Sequence, residues 1–490
     1  MAKKNNENAP KNLNNIVKSI QDIMRQDAGV DGDAQRLSQM VWLLFLKVLD
    51  GQEDEFEVKY DNYVSPIPKN LRWRNWATND EEGNPRQTAE ELLELINNEL
   101  IPTFRDFQPE TESKREKGVA HVINEVFRDT YNYMKSGVLL KKVIGQIDQI
   151  DFNSRQEKHL FNDIYEQMLR DLQSAGNSGE FYTPRAVTEF MTQMVDPKIG
   201  EIILDPACGT GGFLINALEY IKSKGYDADQ LPIIHQNIRG FELKSLPYSL
   251  AITNLLLHEV ELPQLEHQDS FERPLSTYDA DDRVHVIMAN PPFGGTVDDK
   301  ISTFSTQFKT KETADLFLVL IVELLREGGR AALVLPDGSL SGDGVKARVR
   351  QNLLENCNLH TIVRLDNSVF KPYASVKTNL LFFEKGTQTK EVWYYKNPLP
   401  EGTKSYGKTK TIQLRDFDGV KTWWNNRTEN EFAYKVDIEQ IKVRNFDLDI
   451  KHPNEAIEEI LEAPNTILTR MQGHFETLSG LMEELRKIEK

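Results

Sequence analysis

The sequence predicts an α/β fold in which a doubly wound sheet follows an all-α N-terminal domain and precedes a C-terminal helical tail. Strand-like and helix-like patterns alternate regularly from residue 195 to residue 385, as a doubly wound sheet requires. Before residue 195, amphipathic helix patterns recur and no convincing strand is present. We therefore predict domains over residues 1–170, 171–390 and 391–490.

The N-terminal domain is predicted from apolar side chains that recur at helical spacing. The predicted helical segments are residues 12–24, 37–48, 88–100, 120–134 and 156–172. Two roles remain open for this domain: an interaction surface, or a solvated cap on the domain that follows.

The first strand of the predicted sheet ends in a loop rich in small residues. Apolar residues 202–204 are followed by Asp205 and Pro206, which close the strand, and an apolar helix begins at residue 213. The small residues between them include Gly209, Thr210, Gly211 and Gly212. Glycines let a ligand approach the backbone, and a carboxylate can receive a cationic group. Alone, this loop is a weak signal for a nucleotide site.

A later strand, within residues 283–293, stops at the sequence Asn-Pro-Pro-Phe. Proline donates no backbone hydrogen bond and fixes its own φ, so the two prolines end the strand and hold Asn290 in one presentation. Ligands of doubly wound sheets bind beyond the carboxyl ends of strands. We therefore expect Asn290 to face the same site as the glycine loop. A strand-ending turn without chemistry is the alternative.

Three other segments are expected at this edge. Residues 181–184, Phe-Tyr-Thr-Pro, precede a helix and are interpreted as one wall of a cofactor pocket. Glu242 ends the second strand, where an acid accepts hydrogen bonds from ribose hydroxyls. Asp269 follows the third strand and is interpreted as a partner for an adenine amino group. For Glu242 and for Asp269, the alternative is a side chain that is exposed to solvent and binds no ligand.

The composition is that of a globular protein with an acidic charge balance. The chain carries 76 acidic and 59 basic residues, for a formal net charge of −17. This balance argues against strong unaided binding to nucleic acid, so a local basic surface or another subunit would have to hold a polyanion. Two cysteines give no disulfide framework or metal site, and we interpret Cys208 as a packing residue. No apolar run resembles a signal peptide or membrane span, which favours a cytoplasmic protein without membrane association.

Beyond residue 386 the pattern loosens. The strand over residues 377–384 is expected to be the last of the sheet. The aromatic residues that follow are expected to pack on the preceding domain: Trp393, Tyr394, Tyr395, Trp423 and Trp424. The final helix carries apolar residues at alternating steps of three and four: Leu468, Met471, Phe475, Leu478, Met482 and Leu485. Such a heptad seam indicates a helix that docks on a partner's helix, or one that packs on its own chain.

Together, the glycine loop and the Asn-Pro-Pro-Phe turn resemble those of S-adenosyl-L-methionine-dependent methyltransferases that act on exocyclic amino groups. An aromatic amine is a poor nucleophile because its lone pair is delocalised into the ring. The side-chain oxygen of Asn290 and the carbonyl of Pro291 are suited to accept its two N–H groups, and Phe293 to stack on the base. A base inside a duplex must be flipped out to reach such a pocket, at a cost of roughly a few kcal/mol.

The order of motifs is similar to that of modification (M) subunits of type I restriction-modification systems. The resemblance covers roughly residues 10–385 and is carried by GEFYTPR, DPACGTGGF, NPPF and KTNLLFF. It implies a Rossmann-like methyltransferase sheet and an N6-adenine DNA methyltransferase that uses S-adenosyl-L-methionine. It also implies that a separate specificity (S) subunit reads the double-stranded DNA, that two M subunits join one S subunit, and that a restriction (R) subunit can join for cleavage.

The resemblance assigns roles residue by residue. The catalytic residues are Asn290, Pro291, Pro292 and Phe293. The cofactor-binding residues that it matches are Phe181, Tyr182, Thr183, Pro184, Arg185, Asp205, Thr210, Gly211, Gly212 and Glu242. We also predict cofactor binding by Glu180, Pro206, Gly209 and Asp269. No residue is assigned to a metal, and DNA clamping is one interaction role for the helical domain.

The mechanistic hypothesis is in-line methyl transfer to a flipped adenine, with neither a covalent enzyme intermediate nor a dedicated general base. Two other functions remain open. Methylation of a glutamine side-chain amide in a protein would use the same Asn-Pro-Pro-aromatic motif to hold a planar NH₂ group. A scaffold that binds the cofactor without turnover is the non-enzymatic alternative.

Overall fold

The structure is a computed structural model. It describes residues 13–80, 82–152, 165, 183–294, 304–305, 307–371, 376–407, 410–454, 472, 478 and 481–482. Met1–Ile450 form one compact unit and Lys451–Lys490 form another. The domain boundaries near residues 170 and 390 stay predictions.

Helices make up the described regular structure before residue 195, where no strand occurs among the described residues. They are α1 (Leu13–Met24), α2 (Gly32–Lys59), α3 (Trp73–Trp76), α4 (Ala89–Glu94), α5 (Ile101–Arg105), α6 (Lys114–Phe127), α7 (Gly137–Ile147) and α8 (Arg185–Val195), with a 3₁₀ turn at Lys69–Leu71 and a π-helical stretch, Leu95–Leu100, between α4 and α5. Side chains cap three helix starts: Thr88, Ser113 and Ser136 each accept a hydrogen bond from a backbone N–H of the first turn.

The helices predicted over residues 12–24, 37–48 and 88–100 are confirmed, but the boundaries predicted at 120–134 are wrong. The helix there is α6, which ends at Phe127. Beyond it, the backbone N–H groups of Lys135 and Ser136 donate to the carboxylate of Asp27 at 3.0 and 2.9 Å. This contact holds the chain in a non-helical path that sequence periodicity does not reveal. Nearly all of the helix predicted over 156–172 lies outside the described residues.

Among the described residues, nine strands form one mixed sheet in the order β3-β2-β1-β4-β5-β7-β6-β8-β9. The strands are β1 (Ile203–Asp205), β2 (Ile238–Glu242), β3 (Gln264–His267), β4 (Val284–Ala289), β5 (Leu325–Pro336), β6 (Cys357–Arg364), β7 (Thr378–Lys385), β8 (Glu391–Lys396) and β9 (Ala433–Asp437). The helices that accompany them are α9 (Gly212–Ser223), α10 (Gln230–Gln236), α11 (Ser245–Leu257), α12 (Thr313–Leu324), α13 (Asp337–Leu340), α14 (Val345–Asn356), α15 (Asp418–Trp424) and α16 (Ile438–Val443).

Both faces of the sheet are covered by helices, which confirms the predicted doubly wound architecture. Successive strand residues point to opposite faces. Val286 and Met288 of β4 join a core that includes residues of α8, α9 and the N-terminal helices. Ile287 and Ala289 join a second core, with residues of α12 and α14.

The sheet reverses its winding beside β1. Strands β2 and β4 flank β1, and all three are parallel. Ile203 pairs with Val286 and Leu204 with Ile287, so β1 and β4 end close together. The carboxyl ends at such a switch point frame the crevice in which doubly wound sheets bind ligands.

The helical region packs against the half of the sheet that carries β1 to β3. Glu261, after α11, accepts hydrogen bonds from Lys59, from the Tyr60 hydroxyl at 3.0 Å and from the Arg115 guanidinium at 2.5 Å. Arg128, which directly follows α6, also donates to the backbone carbonyl at the end of β3, at 3.2 Å. The region therefore caps this half of the sheet, and an additional role in clamping DNA stays a prediction.

The expectation that the sheet ends at residue 384 is wrong, because β8 and β9 extend it. Strand β8 pairs in parallel with β6, and β9 pairs antiparallel with β8. The aromatic side chains in this region stabilise the extension: Tyr394 stacks on Tyr434 with 4.9 Å between ring centroids, and Tyr395 contacts Trp423. Trp424 packs edge-on to Phe382 of β7 at 4.8 Å, as expected for packing on the preceding domain.

Of the second unit, the structure describes residues 451–454, which are not helical, and residues 472, 478, 481 and 482, which are helical. The remainder of the predicted heptad seam lies outside the described residues. Among the described helices, none is both long and apolar enough to cross a membrane.

Candidate active site

The glycine loop leads from β1 into α9 in a conformation that favours glycine. Gly209 has φ of +53° and Gly211 has φ of +82°, both in the left-handed region. A β-carbon at Gly211 would make ordinary van der Waals contact with the side chain of Ala251 on α11, at 3.5 Å, so the backbone conformation and not the space favours glycine. Asn254 of α11 donates to the Thr210 carbonyl at 3.2 Å, so α11 holds the loop in place.

Asp205 is a buried carboxyl group at the base of this loop. Its side chain is 1% exposed and accepts a hydrogen bond from the backbone N–H of Ala207 at 3.0 Å. Burial, together with the nearby charge of Glu242, raises the pKa of Asp205 to about 8. A positively charged ligand would compensate the buried carboxylate.

Replacing Asp205 with Asn should make stability less dependent on pH. The native carboxyl keeps its proton up to a pH near 8, whereas the unfolded one loses it near pH 4, so wild-type stability falls as pH rises between these values. We expect the variant to exceed the wild type in thermal midpoint by more at pH 8 than at pH 5.5, as measured by calorimetry without ligand. An equal difference at both pH values would contradict the role assigned to this burial.

Glu242 joins the ends of β1 and β2. Its carboxylate accepts hydrogen bonds from the backbone N–H groups of Gly209 at 2.9 Å and of Lys244 at 2.8 Å. The Glu242 carbonyl accepts from Gln268 at 3.1 Å, which ties the loop after β3 to the same place. Asp269 in that loop caps its own turn by accepting from the N–H of Phe271 at 2.9 Å.

Sequence reasoning missed Leu243, which directly follows Glu242. Its side chain is 60% exposed, although it is apolar and lies at the ligand-binding edge of the sheet. An exposed apolar residue beside Glu242, the acid predicted to accept hydrogen bonds from ribose, offers a surface to a purine ring. In the sequence, the acid followed by leucine at the end of a strand was the pattern that could have indicated this apolar surface.

Asn290 lies immediately after β4 and is held by a residue from a distant part of the chain. Its amide nitrogen donates to the Thr183 hydroxyl at 2.9 Å. The amide oxygen is buried and has no hydrogen-bond partner among the described residues. An unsatisfied buried acceptor is costly, so this oxygen is suited to a donor that arrives with a substrate.

The segment after Asn290 presents an aromatic ring. Pro291 is buried, Pro292 is exposed and Phe293 is half-buried. Phe293 packs edge-on to Phe370, at 6.1 Å between ring centroids, and Phe370 itself is fully buried. Sequence reasoning did not single out Phe370, whose edge-on contact helps to fix the ring of Phe293.

The predicted wall before α8 is described in part. Thr183 contacts Asn290, Pro184 lies at the N-cap position of α8, and Arg185 pairs with Glu189 at 2.9 Å. Glu180, Phe181 and Tyr182 lie outside the described residues. The structure therefore brings Thr183, the glycine loop and Asn290 to one edge of the sheet.

Cys208 of the glycine loop is a packing residue here. It is 5% exposed, and burial raises the pKa of its thiol well above the ordinary value. A β-carbon on Gly240 of β2 would lie 3.1 Å from it, so glycine at 240 makes room for this packing.

Comparison with known families agrees with this geometry. The profile of the N-6 DNA methylase family matches residues 156–461, and that of the HsdM N-terminal domain matches residues 13–147. The first match contains β1, β4 and both site motifs, and the second contains α1 to α7.

Relatives align over nearly the whole chain. The methylase subunit of the type I restriction enzyme EcoEI from Escherichia coli is 50% identical over 97% of both chains. A solved structure of a Vibrio vulnificus protein, assigned as a modification subunit of a type I restriction enzyme, is 40% identical, with a TM-score of 0.79 over 90% of this chain and 96% of that one. A chain from a structural study of assembly and conformational transition in the type I restriction-modification system is 34% identical, with a TM-score of 0.80 over 97% of each. The chain therefore belongs to the N-6 DNA methylase family and, within it, to the methylase subunits of type I restriction enzymes.

Proposed function

We propose that this chain transfers a methyl group from S-adenosyl-L-methionine to N6 of an adenine flipped out of double-stranded DNA. The observation that carries the proposal is Asn290. Its amide is fixed by Thr183, its oxygen is buried without a partner, and it stands beside the glycine loop at the switch point of the sheet.

The residues at the end of β1 and β2 fit S-adenosyl-L-methionine. Asp205 is a buried carboxyl group suited to a cation, Glu242 is suited to ribose hydroxyls, and the exposed Leu243 is suited to a purine face. Residues 180–185, the loop from Pro206 to Gly212 and Asp269 complete the proposed cofactor site. When bound, this cofactor supplies an electrophilic methyl group.

The residues at the end of β4 orient the nucleophile. The oxygen of Asn290 and the carbonyl of Pro291 accept the two N–H groups of the adenine amine, which turns its lone pair out of the ring plane. Pro292 stiffens the turn, and Phe293, backed by Phe370, stacks on the base. Positioning and fixed dipoles then provide the rate enhancement, without a covalent intermediate or a general base.

The acidic charge balance of this chain indicates that other subunits help it to bind DNA. With a net charge of −17, it is poorly suited to hold DNA alone. We propose that a specificity subunit reads the DNA sequence, that two copies of this chain join one such subunit, and that a restriction subunit can join them. Action on genomic DNA places the proposed complex in the cytoplasm.

The proposal is tested by labelled methyl transfer. The full chain, assembled with its specificity subunit, is incubated with duplex DNA and methyl-labelled S-adenosyl-L-methionine. We expect the label in DNA as N6-methyladenine. Label in protein would instead favour glutamine methylation, and binding of cofactor and DNA without transfer would favour a scaffold.

Replacing Glu242 with Ala should weaken cofactor binding without unfolding the chain. The change removes the proposed ribose acceptor and the acceptor for two backbone N–H groups of the site. We expect the Kd for S-adenosyl-L-methionine to rise about 10- to 100-fold by calorimetry, the size of one or two charge-assisted hydrogen bonds. Replacing the exposed Glu266 of β3 with Ala removes the same charge from the adjacent strand and should leave the Kd unchanged. Equal Kd values for the two variants would reject the assignment.

A further inference from the structure

A second buried polar atom at the same edge of the sheet has no hydrogen-bond partner among the residues that the structure describes. Thr378, the first residue of β7, is 1% exposed, and its hydroxyl has no hydrogen-bond partner among the described residues. A buried hydroxyl without a partner destabilises the protein that contains it, since it gives up its bonds to water without replacement. The side-chain oxygen of Asn290 is likewise buried without a hydrogen-bond partner among the described residues.

Backbone contacts fix the position of Thr378. Its carbonyl accepts a hydrogen bond from Leu365, after β6, at 2.9 Å. The carbonyl of Lys377 accepts one from Asp337, after β5, at 3.1 Å. The start of β7 is therefore held by the ends of both neighbouring strands.

Thr378 and Asn290 share a face of the sheet. Leu380 and Phe382, which alternate with Thr378 along β7, belong to the core that contains Phe370. Met288, which precedes Asn290 by two residues, belongs to the same core. Asn379 points to the other face, where its amide donates to Asp337 at 2.7 Å.

Strand register sets the separation of the two residues. Ala289 pairs with Leu333 of β5, and Pro336 of β5 pairs with Thr378. Thr378 thus lies two residues beyond the level of Asn290 and two strands away, which is about 7 Å along the strands and about 10 Å across them. The α-carbons are then roughly 12 Å apart, a spacing that leaves room for a planar base between the two side chains.

We propose that Thr378 is a further substrate-binding residue: its hydroxyl donates a hydrogen bond to a ring nitrogen of the flipped adenine whose amino group Asn290 holds. A hydroxyl can donate or accept, but the ring nitrogens at the edge of adenine are acceptors, so the hydroxyl donates. The inference rests on the proposed function. It adds a contact to the ring, whereas Asn290 and Pro291 contact the exocyclic amine.

Replacing Thr378 with Val tests this contact, because valine keeps the shape and removes the hydroxyl. In the full chain assembled with its specificity subunit, kcat/KM for duplex DNA should fall about tenfold, as for the loss of one hydrogen bond. The Kd for S-adenosyl-L-methionine should not change. Since the variant also removes an unsatisfied buried group, its thermal midpoint without ligand should rise by about 1–3 °C. Replacing Thr378 with Ser should restore most of the activity.

Thr361 of β6 provides a matched control. It is equally buried in the same sheet, but its hydroxyl is paired, at 2.8 Å, with the His360 ring nitrogen. Replacing Thr361 with Val should lower the thermal midpoint and leave kcat/KM for DNA unchanged.

Three results would overturn the inference or its basis. Wild-type kcat/KM in the Thr378→Val variant, with an active wild type, would overturn the inference alone. A lowered thermal midpoint with an equal loss of cofactor binding would indicate a structural role and also overturn it. A wild-type complex that does not methylate adenine would reject the proposed function, and with it this contact.

Discussion

Replacing Asn290 with Ala will abolish methyl transfer and leave cofactor binding intact. The variant loses the buried oxygen that is proposed to hold the adenine amine, while the glycine loop and Glu242 are untouched. Loss of one fixed polar group at a reacting centre costs about 10²–10³ in kcat. We expect at least that loss in single-turnover methylation of duplex DNA, with the Kd for S-adenosyl-L-methionine changed by less than about twofold.

A second variant, with a smaller expected loss of activity, tests the hydrogen bond that positions Asn290. Replacing Thr183 with Val leaves the Asn290 oxygen in place but removes the hydroxyl that fixes its amide. We expect an intermediate loss of about tenfold in kcat, the value of one hydrogen bond. Near-wild-type transfer by the Asn290→Ala variant would contradict the catalytic assignment, whatever the result for Thr183.

Introducing charge on the C-terminal helix will prevent assembly with the specificity subunit. The described apolar side chains of this helix, Leu478, Leu481 and Met482, are 58%, 55% and 54% exposed. At about 1.5–3 kcal/mol for each buried side chain, replacing all three with Asp should cost at least about 4 kcal/mol, or roughly a thousandfold in affinity. Co-purification and DNA methylation should both be lost.

The matched control for the helix is a single exposed residue elsewhere. Val443 of α16 is 88% exposed, and replacing it with Asp should leave assembly unchanged. The triple variant should keep the wild-type thermal midpoint and cofactor Kd, because each of these side chains is more than half exposed. Normal assembly of the triple variant would contradict docking of the partner through these three side chains.

The parts of the site that sequence predicted are those encoded by neighbouring residues. Two prolines follow Asn290 at the end of β4, and positive φ angles at Gly209 and Gly211 favour glycine in the loop. In both cases the local residue types restrict the backbone directly. The doubly wound fold followed from the same kind of evidence, since strand and helix patterns alternate along the chain.

The parts that sequence did not predict depend on contacts between distant segments. Asn290 is held by Thr183, which is 107 residues away along the chain. The raised pKa of Asp205 depends on burial and on the charge of Glu242, neither of which is visible in the loop sequence. Thr378 and Asn379 are adjacent buried polar residues at the start of β7, and the sequence does not reveal that the Thr378 hydroxyl lies on the face of Asn290 without a partner among the described residues.

The two additional strands of the sheet, β8 and β9, were also not predicted, because they depend on contacts between distant segments. Strands β8 and β9 are separated by a long connection that contains α15, and their pairing is stabilised by tertiary contacts such as the stack of Tyr394 on Tyr434. Strand propensity depends strongly on such neighbours, so the periodicity after residue 386 was too weak to predict them.

The most direct test of the central claim is genome-wide detection of modified bases in the source cell, with and without the gene for this chain. The account predicts that N6-methyladenine at one DNA sequence motif is present with the gene, is lost without it, and is not restored by the Asn290→Ala variant. An unchanged pattern of N6-methyladenine after deletion, in cells that express the chain with its specificity subunit, would contradict the claim that this chain methylates adenine in DNA.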